Sequence, residues 1–547
     1  MYKNNNLNNS NDNVLSEKIK KYGNPNRNLI ITALIIVFMI IAVVMMFKKK
    51  EISKMTTEYA GYYPSCTMLY IDAELTPEKI NKINESTNLE IKNLSDLVNR
   101  LFDNNKSEKY RLMSEAFGNS FSFGTWNTNQ ANQTIERSLM IFPVEREGKI
   151  NHLFEQLSGK EKPINKIFKG YKITSFPNKK IAFLLERNRL FLADSYDTLT
   201  FIINGYILKK SNSLYDGENV QKLLHFLDED KIGTVIINEP SQIMPENIDA
   251  NKKFKKEIIN SRQVLKAFGV TVASLSIKND LLYLNSYTNY DLFKIKNKNI
   301  RETLKIILEE KHDKFRPKIL PENIMGYLYL KNPKNYINFA LELSGSKIKY
   351  EQAKLLLKLF TNLDLDKDVL KLLEKEAVFL AVNTDNSALG YMLILPVSEK
   401  MDFVISKLAK LFLMQSPSVK ILKNTYKNLN LNTVSLPNFP VVCYGKINQE
   451  LYAFGEKSAV ETFINETFEN KSSLLEKDSF KIFDTGMVND HKLSGYINIQ
   501  DINKLNNNKK IAYFDKVKNK VETSFFAIGS TDDIIRSSIQ LRLKQEK

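Results

Sequence analysis

The chain has 547 residues, of which 43% are hydrophobic and 10% aromatic. This composition supports folded cores and excludes an intrinsically disordered protein, and the length predicts two to four structural units. The formal net charge of +17 comes mostly from lysine, whereas arginine is the better reader of phosphates and bases. Because no basic helix or aromatic RNA-binding signature accompanies the charge, we expect no nucleic-acid partner.

Residues 1–28 are rich in asparagine and lysine and are predicted to form a disordered cytoplasmic tail. Residues 29–47 carry no charge and are followed by three lysines, a pattern that favours a transmembrane helix over a buried core helix. Lysines and arginines flank this segment equally, so their distribution does not fix the orientation. We predict a single-pass membrane protein, with a juxtamembrane linker at 48–59 and an extracytoplasmic body.

The body contains a series of matching segments in the same order. The matches are PSCTMLY at 64–70 with PENIMGY at 321–327, LMIFPV at 139–144 with MLILPV at 392–397, SFPN at 175–178 with SLPN at 435–438, and TFI at 200–202 with TFI at 462–464. Their offsets lie between 253 and 262. These matches favour a duplication over two unrelated domains that share generic strand and turn signals. Copy 1 is predicted at 60–295, a linker helix at 296–314 and copy 2 at 315–547.

The periodicity within each copy predicts an α+β fold. In copy 1 the strands are predicted near 67–72, 120–125, 137–142, 171–175, 181–185 and 190–193, and the helices near 77–102, 149–157 and 196–208. The early order β-α-β-β-α-β is that of a ferredoxin-like arrangement. Short turns at 186–188 and 447–449 predict antiparallel hairpins. The predicted fold class is therefore a single N-terminal transmembrane helix followed by two tandem, mainly antiparallel sheets with covering helices.

Copy 2 contains a long amphipathic stretch at 350–374. The leucines that recur near helical spacing are Leu355, Leu356, Leu359, Leu363 and Leu370. We expect them to pack on a sheet, and a partner-binding or coiled-coil role is the alternative.

Three features of the chain resemble a bacterial family known as a domain of unknown function, number 3352. They are the N-terminal apolar segment, the sequence YPSCTMLY at 63–70, and LFLADS at 190–195 followed by a predicted helix. The resemblance implies an anchored envelope protein without an assigned activity, and it supplies no catalytic residues. Together with the predicted span, it implies a single-pass protein of the bacterial inner membrane.

Enzyme signatures are scarce in the sequence. Ser344 to Lys347 fits S-x-x-K, but its usual K-T-G partner is absent, and a serine-glycine turn at a helix end explains the residues without catalysis. No phosphate-binding loop, dinucleotide fingerprint, nucleophile elbow or histidine metal motif occurs. Cys66 and Cys443 are expected to be buried free thiols rather than a disulfide, and Trp126 is expected to pack rather than to stack on a sugar. We predict no catalytic, cofactor-binding or metal-binding residues, and no cofactor.

These observations predict a non-enzymatic binding or scaffold module of the cell envelope. Its partner is expected to be the membrane and another envelope protein, a lipid or a glycan. The alternatives are an extracytoplasmic hydrolase acting on envelope polymer and a lipid-binding or lipid-transfer protein.

Overall fold

The structure is a computed structural model. It describes residues 58–87, 119–130, 133–148, 150, 152, 154, 161–209, 211–228, 230–240, 255–278, 281–310, 320–384, 389–415, 419–435, 440–467, 473–486, 488, 490–501 and 521–544.

The described residues contain twenty strands. In chain order β1 to β20 are Thr67–Glu74, Ser120–Gln130, Gln133–Pro143, Ile164–Phe168, Tyr171–Phe176, Ile181–Glu186, Arg189–Ala193, Gly233–Ile237, Phe268–Lys278, Leu281–Tyr290, Ile324–Lys331, Glu376–Asn383, Leu389–Pro396, Lys420–Tyr426, Leu429–Ser435, Val442–Lys446, Leu451–Glu456, Leu493–Asn498, Val521–Thr531 and Ile534–Leu543. The α-helices α1 to α10 are Pro77–Thr87, Tyr196–Ile202, Glu218–Leu224, Lys255–Ala267, Lys298–Glu309, Pro333–Ser344, Lys347–Thr361, Met401–Gln415, Lys457–Asn465 and Asp478–Lys481.

All twenty strands belong to one sheet, and every pairing is antiparallel. The pairings give the order β4-β5-β6-β7-β3-β2-β1-β8-β9-β10-β20-β19-β18-β11-β12-β13-β17-β16-β15-β14. The predicted fold class, with two tandem sheets, is therefore wrong. The reason is that β10 pairs along its length with β20, which joins the two sets of strands edge to edge.

The order of β1 to β10 recurs in β11 to β20, and the two sets meet symmetrically. Asn285 and Ser538, the fifth residues of β10 and β20, face each other, while Leu281 pairs with Arg542. At this junction the hydroxyl oxygens of Ser286 and Ser537 lie 2.6 Å apart in a hydrogen bond. The arrangement resembles the two-fold interface of a dimer, formed here within one chain. The boundaries of the two predicted copies remain a prediction.

Matched sequence segments lie at corresponding places in the two sets of strands. Pro64 forms an isolated bridge with Ser213, and Pro321 forms one with Ser473. The predicted hairpins are also present: β6 pairs with β7, and β16 pairs with β17. The predicted ferredoxin-like arrangement is wrong. In that arrangement the first strand does not pair with the second, whereas here β1 pairs with β2 on one side and with β8 on the other.

The structure contradicts the predicted single-pass anchor. In the ranges given above, no helix combines the length and the apolar character needed to cross a bilayer. Residues 29–47, on which the prediction depended, lie outside the described residues, as do the tail at 1–28 and most of the linker at 48–59. The predicted location as a single-pass inner-membrane protein is withdrawn with the anchor.

Apolar cores lie on both faces of the sheet. One face packs against α2, α3, α9 and α10, with large clusters around Phe191 and Phe463. The opposite face carries a cluster around Leu275 and another in which Met401 and Ile405 of α8 pack against strand residues such as Tyr444. Helices therefore cover parts of both faces, and the connection from β11 to β12 carries α6 and α7.

Candidate binding surface

Helix α7 begins directly after a sharp turn at the end of α6. Gly345 adopts a positive φ of 62°, a conformation that glycine reaches without steric cost and that ends many helices. Ser344 Oγ donates to the carbonyl of Leu341 at 3.2 Å and accepts from the backbone N–H of Ser346 at 3.3 Å. The S-x-x-K sequence therefore forms a helix-to-helix turn in which the serine hydroxyl bonds to the backbone.

The side of α7 that faces the protein is largely polar. Tyr350, Lys354, Leu357 and Thr361 recur at helical spacing on this side and are less exposed than their neighbours. The Tyr350 hydroxyl and the Lys354 ammonium both hydrogen-bond the carboxylate of Asp366, which follows the helix in a short π-helical turn at Leu365–Val369. Asp366 therefore fixes the rotation of α7 about its own axis.

The electrostatics of this contact agree with its geometry. The Lys354 and Tyr350 hydrogen bonds to its charged form lower the pKa of Asp366 below its ordinary value. Burial and the neighbouring Asp366 together raise the pKa of Tyr350. The hydroxyl therefore stays protonated at neutral pH and donates to a carboxylate that stays charged.

The side of α7 that faces away from the protein carries most of its large apolar side chains, together with Lys349 and Gln352. Its large side chains retain a high exposed fraction: Ile348 75%, Leu355 60%, Leu356 52%, Leu359 70% and Phe360 57%. The surface formed by these five side chains is called the α7 apolar surface below. It reverses the usual arrangement of an amphipathic helix, in which the apolar side faces the core.

The predicted core role of the leucines at 350–374 is correct for only some of them. The helix ends at Thr361, where Asn362 takes a left-handed conformation with a φ of 59°. Beyond this break Leu363 and Leu370 are buried. Leu355, Leu356 and Leu359 lie before it on the exposed side, so the core prediction is wrong for them.

A second surface feature is an open polar depression of about 560 Å³ between α5 and α6. Its carboxylates are all paired: Glu310 accepts from the side-chain amides of Asn332 and Asn335 at 3.0 and 3.1 Å. Lys334 contacts Glu374 at 2.7 Å, and Glu309 lies 3.8 Å from Lys305. The contacts of Glu310 join the end of α5 to α6, and each of the three carboxylates is engaged by another side chain.

The remaining residues considered in the sequence do not converge on one site. Trp126 is fully buried, as expected for packing, and lies edge-on to Tyr63. Both cysteines are free thiols; Cys443 is buried as predicted, whereas Cys66 is exposed, so the prediction of burial is wrong for that residue. Within the described parts of the chain, no group of three or more histidine, cysteine, aspartate or glutamate side chains is placed to hold a metal ion.

The orientation of α7 and its polar attachment were not predicted from the sequence, in which a partner-binding role for these leucines was only the alternative. The helical spacing of the leucines shows that α7 has an apolar side, but the spacing does not show which way that side faces. The residue that sets the orientation of α7 is Asp366. It lies twelve positions after Lys354, whereas paired residues on a helix are three or four positions apart, so spacing does not reveal the contact.

The chain has similarity to a family and to a few solved structures. No curated protein matches it. A structure described as "Structure of crystal form I of TP0453" is 10% identical and has a TM-score of 0.26, covering 47% of this chain and 87% of that one. Another, "Structure of crystal form III of TP0453", is 8% identical with a TM-score of 0.27, covering 47% and 88%. Scores this low carry no argument about fold or function.

The family comparison covers most of the chain. The model of one family matches residues 29–532, a range that includes all but the last strand of the sheet. It confirms the resemblance seen in the sequence. The chain belongs to the family described as "Protein of unknown function (DUF3352)".

Proposed function

We propose that the protein is a non-enzymatic binding module that contacts its partner through the α7 apolar surface. The observation that carries the proposal is the orientation of α7, with Asp366 holding its polar side against the protein and five large apolar side chains directed outward. Contiguous exposed apolar side chains on a folded protein are typical of interaction sites.

The energetics favour a contact at this surface. Fully burying a leucine, isoleucine or phenylalanine side chain contributes roughly 1.5–3 kcal/mol. The five side chains of the α7 apolar surface are each more than half exposed, so most of that free energy is still available. Since α7 is already helical and fixed by Asp366, binding requires little further ordering.

The large sheet supports a binding role without reactive groups. Twenty paired strands form one large sheet, and α7 lies in the connection between two of them, β11 and β12. The alternative of a hydrolase acting on envelope polymer calls for acid and base groups from both halves in one cleft. The polar depression beside α5 does not support a hydrolase. The residues that line it all lie between Ile306 and Glu374, and its carboxylates are paired with other side chains.

A site-specific cross-linking experiment tests the proposal. A photoreactive amino acid replaces Leu359 on α7, and in a control protein it replaces Ile167, which is 78% exposed on the edge strand β4. We expect a discrete adduct with a cellular protein or lipid from position 359 and none from position 167. Equal adducts from both positions, or none from 359, would contradict the proposal. Cleavage of purified envelope polymer by the chain would instead support the hydrolase.

A further inference from the structure

We infer that the partner of the α7 apolar surface is the surface of an anionic lipid bilayer. The inference rests on the proposed function and gives its partner a chemical identity. It concerns a helix that lies along the bilayer surface and does not involve a segment that crosses it.

The distribution of charge around α7 fits such a surface. The helix contains four lysines, one glutamate and no arginine. Successive residues turn by about 100° around a helix, which places Lys349 on the apolar side itself, between Leu356 and Phe360. Lys358 lies at the edge of that side, next to Glu351. Both lysines are exposed. In this position their ammonium groups can reach lipid phosphates while the apolar side chains enter the acyl boundary.

The composition of the α7 apolar surface argues against a protein partner. It consists of isoleucine, leucine and phenylalanine, whereas tryptophan, tyrosine and arginine dominate the energetics of protein interfaces. Lysine, which lies within this side of the helix at 349 and at its edge at 358, is depleted at such interfaces. Leucine and phenylalanine accompanied by lysine are typical of helices that lie at the bilayer interface.

A second copy of the chain is a poorer partner for the same reason. Two copies meeting through α7 would bring the exposed Lys349 and Lys358 of both copies into one interface. The chain already carries a net charge of +17, so like-charge repulsion opposes this contact. An anionic bilayer offers apolar volume and opposite charge together, which matches both properties of α7.

The attachment of α7 gives the helix the required orientation before any lipid is met. Tyr350 and Lys354 are held by Asp366 on the side facing the protein, so the opposite side is presented to the surroundings. Fifteen residues at 1.5 Å each give the helix a length of about 22 Å. The five apolar side chains are distributed over most of that length.

A tryptophan reporter in the full-length chain tests the inference. The only native tryptophan, Trp126, is fully buried and supplies a constant background. L359W is mixed with vesicles of phosphatidylglycerol and brominated phosphatidylcholine in roughly equal parts, and I167W on the edge strand β4 serves as the control. Bromine quenches tryptophan only at close range, so the readout reports the position of α7 even if another part of the chain holds the protein on the vesicle.

We expect a blue shift and strong quenching for L359W and neither for I167W. Neutral vesicles and high salt are expected to weaken the effect, because both remove the electrostatic attraction. Replacing Lys349 and Lys358 by glutamine in the reporter protein is expected to lower the partition coefficient about 25-fold, since each lysine near an anionic surface contributes roughly fivefold.

Three outcomes would overturn the inference. One is vesicle-bound protein in which L359W is not quenched, and a second is equal quenching of L359W and I167W. The third is a blue shift of L359W that depends on protein concentration without vesicles, which would identify a second copy as the partner. If L359W is unaffected by lipid while cross-linking from position 359 captures a protein, the lipid inference is wrong and the proposed function as a binding module is supported. If neither experiment finds a partner, both fail.

Discussion

Helices α7 and α9 have similar sequence patterns and opposite orientations. Both begin with lysine and have apolar residues at helical spacing. In α9 the apolar side faces the sheet, and Ala459, Val460, Phe463 and Ile464 are fully buried there. In α7 a carboxylate holds the polar side inward, and the apolar side is exposed. An amphipathic pattern thus identifies two sides of a helix, while the neighbouring residues decide which side the protein covers.

The largest expected difference between the two helices is in stability. Phe463→Ala removes a fully buried ring from the cluster beneath α9 and should lower the free energy of unfolding by about 3–5 kcal/mol. Leu359→Ala on α7 is the matched control and should change it by no more than about 0.5 kcal/mol. Urea denaturation of the two variants measures both values. Equal destabilisation would contradict the different roles assigned to the helices.

Enlarging a small residue in each helix gives a smaller effect of the same kind. Ala459 in α9 is fully buried, so Ala459→Leu should overfill the core and destabilise the protein by about 1–3 kcal/mol. Ala353 in α7 is exposed, and Ala353→Leu should be tolerated within about 0.5 kcal/mol. Thermal unfolding compares the two variants. A large loss from Ala353→Leu would show that α7 is covered by other residues.

The contact with Asp366 should make the attachment of α7 depend on pH. Because the folded pKa of this carboxyl lies below the unfolded value of about 3.9, its contribution is present above that value and is lost as the pH falls through the folded pKa. Amide hydrogen exchange in α7 should therefore accelerate, relative to that in α9, over this acidic range. In Asp366→Asn the exchange of α7 should already be fast at neutral pH. An unchanged rate in that variant would show that Asp366 does not hold the helix.

The sequence predicts local features of this fold well because their causes are local. The hairpin between β6 and β7 turns at Arg187 and Asn188, which both have a left-handed backbone that asparagine adopts readily. The pairing of β10 with β20 joins residues about 250 positions apart, and its polar side chains, such as Ser286 and Ser537, give no sign of their partners. Two tandem sheets and one continuous sheet are therefore not distinguishable from strand patterns alone.

The exposure of the α7 apolar surface is likewise not predictable from the spacing of its hydrophobic residues. Leu359 and Leu363 both belong to the predicted amphipathic stretch, yet one is 70% exposed and the other fully buried. The difference arises at Asn362, where the helix ends, and at Asp366, which turns the polar side of α7 inward. Neither effect is a property of hydrophobic spacing.

The most direct test of the central claim measures the exposure of α7 in the free protein. The chain supplies its own references, since Cys66 is exposed and Cys443 is buried. Burial also raises the pKa of the Cys443 thiol to about 11, which slows its reaction further. In Leu359→Cys, maleimide labelling followed by peptide mass spectrometry should show the introduced thiol reacting at least as fast as Cys66 and far faster than Cys443. An introduced thiol that reacts as slowly as Cys443 would contradict the outward orientation of the α7 apolar surface.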